Sequence, residues 1–238
     1  MKVKGAGHTC DVTRGYGQYC GLARALDLLG GRWALLVVRD LLSGPKRFSE
    51  LQDGLPGIPT NILTSRLREL EEAGIVERRV QGHPGGGVAY ALTEYGLELE
   101  EPILRLGFWG AKTMGAPCEG DFISTESLAL ALRGSFRPEK ARGPERLYEV
   151  RVGGKALRIL VKGRRVVAPS SSTDDPDVVL DAAPEVMSQL LTGALGLDDA
   201  IEDGRVGVEG DRADASRFVE MFRFPSTDGA VVSSADRG

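Results

Sequence analysis

The chain has 238 residues, 42% hydrophobic and 27% charged, with a formal net charge of −4. That is more chain than one domain of about 100 residues needs. No apolar run approaches the roughly 20 residues required to cross a bilayer, and the start of the chain has no basic stretch leading into an apolar core. Neither a membrane span nor a signal peptide is expected, and the protein is expected to be cytoplasmic. Three cysteines (Cys10, Cys20, Cys118) and two histidines give no disulfide framework and no metal-ligand spacing, so neither a metal nor a cofactor is expected.

In chain order, "FSELQDGLPGIP" predicts a short helix from about Ser49 to Gln52 with Ser49 as its N-cap. A turn punctuated by Gly54, Pro56, Gly57 and Pro59 follows. From Pro59 to Gly74, Leu63, Leu67 and Leu70, with Ile62 beside them, recur at helical spacing and form one stripe for burial. Asn61, Thr64, Ser65, Arg68 and Glu72 then face outward, and Thr60 is placed to cap the helix. A short polar face of this kind, free of bulky residues at its N-terminal end, suits insertion into the DNA major groove. Arg66 projects to the side of the stripe, within reach of Glu69 or Glu50.

Gly74 stands where a left-handed residue stops the helix. Val76, Arg78 and Val80, then Val88, Tyr90 and Leu92, alternate with period two around the tip "QGHPGGG", which predicts a hairpin. His83 at the tip, with Arg78 and Arg79 beside it, suits a phosphate backbone or a minor groove. Thr93 caps a further helix reaching Met114, with a bend expected near Pro102. Its apolar set Leu97, Leu99, Ile103, Leu106, Phe108 and Trp109 is wider than one stripe, which predicts burial against a second copy as well as its own domain.

The small-residue and proline stretch "GAPCEGD" places a boundary near Ala116. The domains are therefore expected at 1–115 and 116–225, with a loosely ordered tail at 226–238. The second domain reads as a helix from Ser124 or Thr125 to Leu132, then strands in "RLYEVRVGG", "ALRILVKGR", "RVVAPS" and "DVVLDAAP". A helix "PEVMSQLLTGALGL" with Val186, Leu190 and Leu191 inward comes next, then a strand in "AIEDGRVGVEGD". A last helix starts at Asp211 and buries Phe218, Met221 and Phe222. The fold class is α+β. "SSSTDDPD" clusters hydroxyls and carboxylates, but Ser, Asp and Pro between two strands read as a turn. With no GxSxG, no phosphate loop carrying Lys and no HExxH, an enzyme is not expected.

The Cys before the first helix, "GGRW", "GPKRFSEL", "LPGI", "LTSRLRELEEAGIVER" and "YALTEYG" together resemble the HxlR-type (MarR-related) winged helix-turn-helix regulators of bacteria, over roughly Tyr19 to Met114. The resemblance implies a transcription regulator that binds double-stranded DNA at a pseudo-palindromic operator as a homodimer. By position it implies Thr60, Asn61, Thr64, Ser65 and Arg68 as base-reading residues, and Lys46 and Arg47 as phosphate contacts, with Arg79 and His83 on the wing. It further implies a dimer interface from the first and last helices of the segment, which hold Leu22, Leu26, Ile103, Leu106 and Trp109. Cys20 is the position at which some such proteins sense oxidants, although no basic residue at immediate spacing marks a lowered pKa.

"AAPEVMSQLLTGALGLDDAIEDGRVGVEGDRADASRFVEMF" resembles the sterol-carrier-protein-2 fold over about Thr125 to Phe224, which implies a lipophilic small-molecule effector held between sheet and helices. Two alternatives stand beside a ligand-controlled regulator: a lipid or hydrophobic-metabolite carrier or scaffold, and a thiol-based redox regulator acting through Cys20. The first 115 residues hold 14 basic and 13 acidic side chains, and the remainder 16 and 21. The first half is therefore only weakly basic, so tight DNA binding calls for a dimer that doubles the phosphate contacts.

Overall fold

The computed structural model describes residues 15–80, 87–114, 121–167 and 171–224. His83, Cys10, Cys118, the boundary at Ala116 and the tail lie outside the described residues. No helix among those described is long and apolar enough to cross a membrane.

The first half runs α1 (Gly21–Leu29), α2 (Ala34–Leu41), β1 (Lys46–Arg47), α3 (Phe48–Gly54), α4 (Thr60–Glu72), β2 (Val76–Val80), β3 (Val88–Leu92), α5 (Glu94–Leu97) and α6 (Glu100–Ala111). Its three strands are antiparallel in the order β1-β3-β2, with Arg47 opposite Ala89 and Arg79 opposite Ala89 on the other side. Leu63, Leu67 and Leu70 of α4 are buried with Val37, Val38 and Leu41 of α2 and Leu51 of α3. Each such side chain contributes about 1.5–3 kcal/mol.

Three local expectations need correction. The short helix begins at Phe48, and Ser49 is not its cap: the Arg47 N–H donates to Glu50 Oε2 at 2.5 Å, so a carboxylate inside the first turn satisfies the entry. Thr60 is the first residue of α4 and not its N-cap, which is Pro59. The helix after the wing is capped by Thr93 as expected, with Gly96 N–H donating to its hydroxyl at 3.0 Å, but it breaks between Leu97 and Glu100. Pro102 is thereby left in the first turn of α6, where a missing N–H costs little.

Gly74 ends α4 with φ of 69°. Ile75 N–H donates to Leu70 O at 2.9 Å and Gly74 N–H to Glu71 O at 3.0 Å, and both Leu70 and Ile75 are buried, so the stop is a Schellman motif with its apolar contact.

The second half runs α7 (Thr125–Ser135), β4 (Arg146–Val152), β5 (Lys155–Lys162), β6 (Arg165–Val167), β7 (Val178–Ala182), α8 (Pro184–Thr192), α9 (Leu197–Glu202), β8 (Val206–Gly210) and α10 (Arg212–Met221). Its five-stranded sheet has the order β6-β5-β4-β7-β8, with β4 and β7 parallel and the other pairs antiparallel. The helix expected through Leu197 stops at Thr192, where Gly193 (φ 75°) is its left-handed C-terminal residue, and Ala200 to Glu202, expected within a strand segment, belong to helix α9. The inward set Tyr148, Val150, Ile159, Val178 and Leu180 meets Leu190, Phe218 and Phe222 from the helices.

Helix α7 belongs to both halves. Leu128, Ala129 and Leu132 enter the second core, while Leu130, on the opposite side of the same helix, is buried in the first. A helix apolar on two sides must be covered on two sides. Gly134 lies where a Cβ would meet Leu104 Cδ2 of α6 at 2.5 Å, and the rings of Phe108 and Phe224 stand 6.3 Å apart. The second domain is thus docked directly on α2 and α6.

Candidate nucleic-acid interface

The outer face of α4 carries the expected residues. Asn61, Thr64 and Arg68 are exposed, Ser65 is half-buried, and Asn61 has no partner among the described residues. The hydroxyls are already oriented. Thr60 Oγ1 accepts from Gln52 Nε2 at 2.8 Å, fixing α3 to α4, and Thr64 Oγ1 donates to Thr60 O at 2.8 Å. Ser65 Oγ donates to Glu69 Oε1 at 2.8 Å. Arg68 is held only by Glu72, at 3.5 Å with both side chains about two-thirds exposed, a pair worth a few tenths of a kcal/mol and easily exchanged. Arg66 pairs with Glu69, one of the two partners expected for it.

On the wing, Arg79 is exposed and pairs with Glu77 at 2.7 Å, while Arg78 pairs with Glu71 at 3.2 Å and covers the Tyr90 ring at 5.7 Å. Arg47 is exposed at the start of α3.

Lys46 departs from the role of phosphate contact. Its side chain is 18% exposed and its Nζ lies 2.8 Å from Glu126 Oε1 on α7. Burial pushes the Glu126 carboxyl up, but the hydrogen bond and charge of Lys46 outweigh it and hold the group below its usual range. Beneath this pair Asp40 is fully buried, bound by Arg39 at 2.7 Å through Oδ1, while its Oδ2 has no partner among the described residues. Desolvation raises its pKa to about 6 against the opposing Arg39 charge. Arg133 completes the seam, donating to Leu42 O at 3.1 Å and pairing with Glu100 at 2.5 Å.

Of the residues expected in a dimer interface, Leu22 (70% exposed) and Leu26 (43%) on α1 and Leu106 (49%) and Trp109 (69%) on α6 are uncovered apolar side chains. Ile103 does not belong with them. It is 8% exposed and sits in the first core.

Cys20 is exposed at the N-cap of α1. The backbone N–H of Ala23 first, and that of Leu22 second, hold its thiol below the usual range. The cause is not the neighbouring basic side chain that the sequence pattern would require but the free amides of a helix start.

In the second domain, Phe136, Tyr148, Phe218 and Phe222 stack with centroids 4.5–5.3 Å apart in the space between sheet and helices. A concavity of about 390 Å³ lies on the opposite, polar face of the sheet, beside Glu149, Arg151 and Arg158. There Glu149 bridges Arg151 at 2.7 Å and Arg158 at 3.0 Å.

Two helices joined by a tight turn, a three-stranded wing and an exposed polar second helix define a winged helix-turn-helix of the kind carried by DNA-binding regulators. Residues 28–117 match the HxlR-like helix-turn-helix family, and residues 133–223 match the SCP-2 sterol transfer family. The uncharacterized HTH-type transcriptional regulator sll1512 of Synechocystis is 42% identical over 111 residues, which are 46% of this chain and 82% of that protein. The HTH-type transcriptional regulator YodB of Bacillus subtilis is 41% identical over 103 residues, covering 43% and 88%. The solved structure of reduced YodB from B. subtilis covers 42% of this chain and all of its own, at 35% identity and a TM-score of 0.37. The chain belongs to the HxlR-like helix-turn-helix family and is a transcription regulator of that type, with an SCP-2 domain following the winged helix.

Proposed function

We propose that the protein acts as a homodimer on a two-half-site DNA operator in the cytoplasm. In this reading Asn61, Thr64, Ser65 and Arg68 read base edges, while Arg47, Arg79 and His83 contact the backbone. The observation that carries it is the outer face of α4: an unpaired carboxamide, hydroxyls anchored at one end and a guanidinium held by one exposed ion pair. Such groups turn to base edges at little cost. The exposed apolar side chains on α1 and on α6 support a second copy as their cover, and the two α4 helices are then presented together.

The second domain serves in this reading as a docked regulator of the winged helix. The aromatic stack between its sheet and helices leaves the expected lipophilic effector without support from the geometry, whereas the Lys46–Glu126 pair and Leu130 tie the domain to the DNA-binding half. A second reading, thiol sensing, is favoured by three observations: Cys20 is exposed, its thiol is held below the usual range, and it opens α1, which carries the exposed Leu22 and Leu26.

The test is the affinity of purified protein for its own upstream DNA at one fixed salt concentration. Asn61→Ala and Arg68→Ala are expected to weaken specific binding by about 1–3 kcal/mol each with melting unchanged. Unchanged affinity in both variants removes α4 from the groove.

A further inference from the structure

The seam between the two domains holds a buried acid that the DNA-binding reading does not use. Asp40, near the C-terminal end of α2, is 0% exposed. Arg39 binds its Oδ1, while its Oδ2 has no hydrogen-bond partner among the described residues. The α3 side closes tightly over that oxygen, where a Cβ on Gly54 would meet it at 2.8 Å. An ionised carboxylate so placed lacks the water or donor that would stabilise its charge, so the protonated form is favoured.

The groups that face Asp40 come from both domains. Arg39 lies beside it on α2, Lys46 comes from β1, α3 brings the uncharged Gly54, and Glu126 comes from α7. The winged helix thus offers Glu126 a site of two cations and one titratable acid, with a net charge of +1 when Asp40 is ionised and +2 when it is protonated. Opposite charges attract more strongly across the seam in the second case. The reverse holds too. Glu126 strengthens the grip of Asp40 on its proton, and by linkage the proton strengthens the grip of the winged helix on Glu126.

We propose that Asp40 is a proton-operated latch between the domains: protonated, it leaves Lys46 and Arg39 free to hold Glu126 and keeps α7 on the winged helix; ionised, it repels Glu126, attracts Lys46 and lets the second domain part more often. Burial raises the pKa of Asp40 to about 6, so the hold is full well below that pH and weakens as pH rises through it. Parting uncovers Leu130, the α7 side chain seated in the first core. It also frees Lys46 for a phosphate backbone, a consequence that rests on the DNA-binding reading above; the latch itself does not.

Thiol trapping in the full-length protein tests the latch. With Cys10, Cys20 and Cys118 replaced by Ser, Leu130→Cys supplies a thiol that reacts when the domains part, and Leu67→Cys one that reacts only when the first core unfolds. Rates with 5,5′-dithiobis(2-nitrobenzoate), divided by those of the urea-unfolded chain at the same pH, give opening constants. Leu130→Cys is expected to open more often than Leu67→Cys. Its opening should be about threefold greater at pH 7.5 than at pH 5.5, for a proton held about tenfold less tightly once the domain is released. Adding Asp40→Asn should make opening equal at the two pH values and close to the pH 5.5 value of the parent. Adding Glu126→Gln should raise opening at both and flatten its pH dependence.

The proposal falls if Leu130→Cys opens no more often than Leu67→Cys, if its opening is flat or falls with pH, or if folded Asp40→Asn keeps the pH dependence of the parent. Should Asp40→Asn fail to fold, an unchanged pH dependence with Glu126→Gln overturns it instead. The link to DNA is tested separately: the affinity of the parent for upstream DNA, relative to Lys46→Ala at one salt concentration, should rise from pH 5.5 to pH 7.5. A constant ratio overturns that link, and a protein that binds no DNA overturns the DNA reading while thiol trapping still decides the latch.

Discussion

Lys46 Nζ lies 2.8 Å from Glu126 Oε1, so a basic side chain at the base of the wing is neutralised by the first turn of the second domain. Replacing Glu126 with Gln releases that ammonium while keeping the size of its partner. Non-specific DNA affinity is expected to rise, and log K against log salt to steepen by about one phosphate contact per protomer. In the parent background Lys46→Ala should leave the slope as it is. Salt titrations of DNA binding read both, and equal slopes for the parent and Glu126→Gln would show that Lys46 never reaches the backbone.

Ile103 and Trp109, six residues apart on α6, are expected to respond differently. Ile103→Ala removes a side chain from the first core and should cost about 2–5 kcal/mol in denaturant unfolding, with assembly unchanged. Trp109→Glu places a charge on the exposed apolar face and should give a folded monomer by sedimentation. A Trp109→Glu protein that sediments with the parent as a dimer would move the interface elsewhere.

Asp40 makes stability pH-dependent. Its folded-state pKa of about 6 lies above the ordinary 3.8, so the native state holds the proton more tightly than the unfolded chain. The contribution is fully present below about pH 4 and is lost as pH rises through 6, by up to about 3 kcal/mol. Arg39 on the neighbouring position, Lys46 and Glu126 are the charges that face it. The stability difference between Asp40→Asn and the parent should therefore move in favour of the variant between pH 4 and pH 7.5. A difference flat in pH would place the titrating group elsewhere.

Cys20 should alkylate with iodoacetamide faster at neutral pH than a model thiol, since the Ala23 and Leu22 amides lower its pKa and enlarge the thiolate fraction. The rate should level off at a lower pH than for the model. Peptide mapping identifies the site, and a pH profile coincident with that of the free thiol would remove the helix-start effect.

The recognition helix was legible because its information is local. The phase of Leu63, Leu67 and Leu70 fixes which face is buried, Gly74 fixes where the helix stops, and both follow from 3.6 residues per turn and the steric freedom of glycine. The same phase left Asn61, Thr64 and Arg68 outward. Ser49 and Thr60 differ because both lie inside their helices: Glu50 accepts from the Arg47 N–H at the start of α3, and the Thr60 hydroxyl accepts from Gln52 rather than from the first amides of α4.

The seam between domains was not legible in that way. "ESLALALRG" is apolar on two sides, and that pattern could have flagged α7 as a helix covered twice, but which neighbour covers each side depends on contacts far apart in sequence. Lys46 and Glu126 are 80 positions apart, and a lysine at the base of a wing reads as a phosphate contact until the fold places a carboxylate against it. Ile103 and Trp109 likewise carry the same apolar label, and only packing decides that one fills its own core while the other faces outward. The sequence by itself determined most of the elements, though not α9 or the break before α6, together with their buried stripes and the polar face of α4, because helical and strand periods are properties of the local chain. Tertiary structure alone decided which charges are spent between the domains and which apolar side chains remain uncovered, because electrostatic pairing and burial are settled by distance in space.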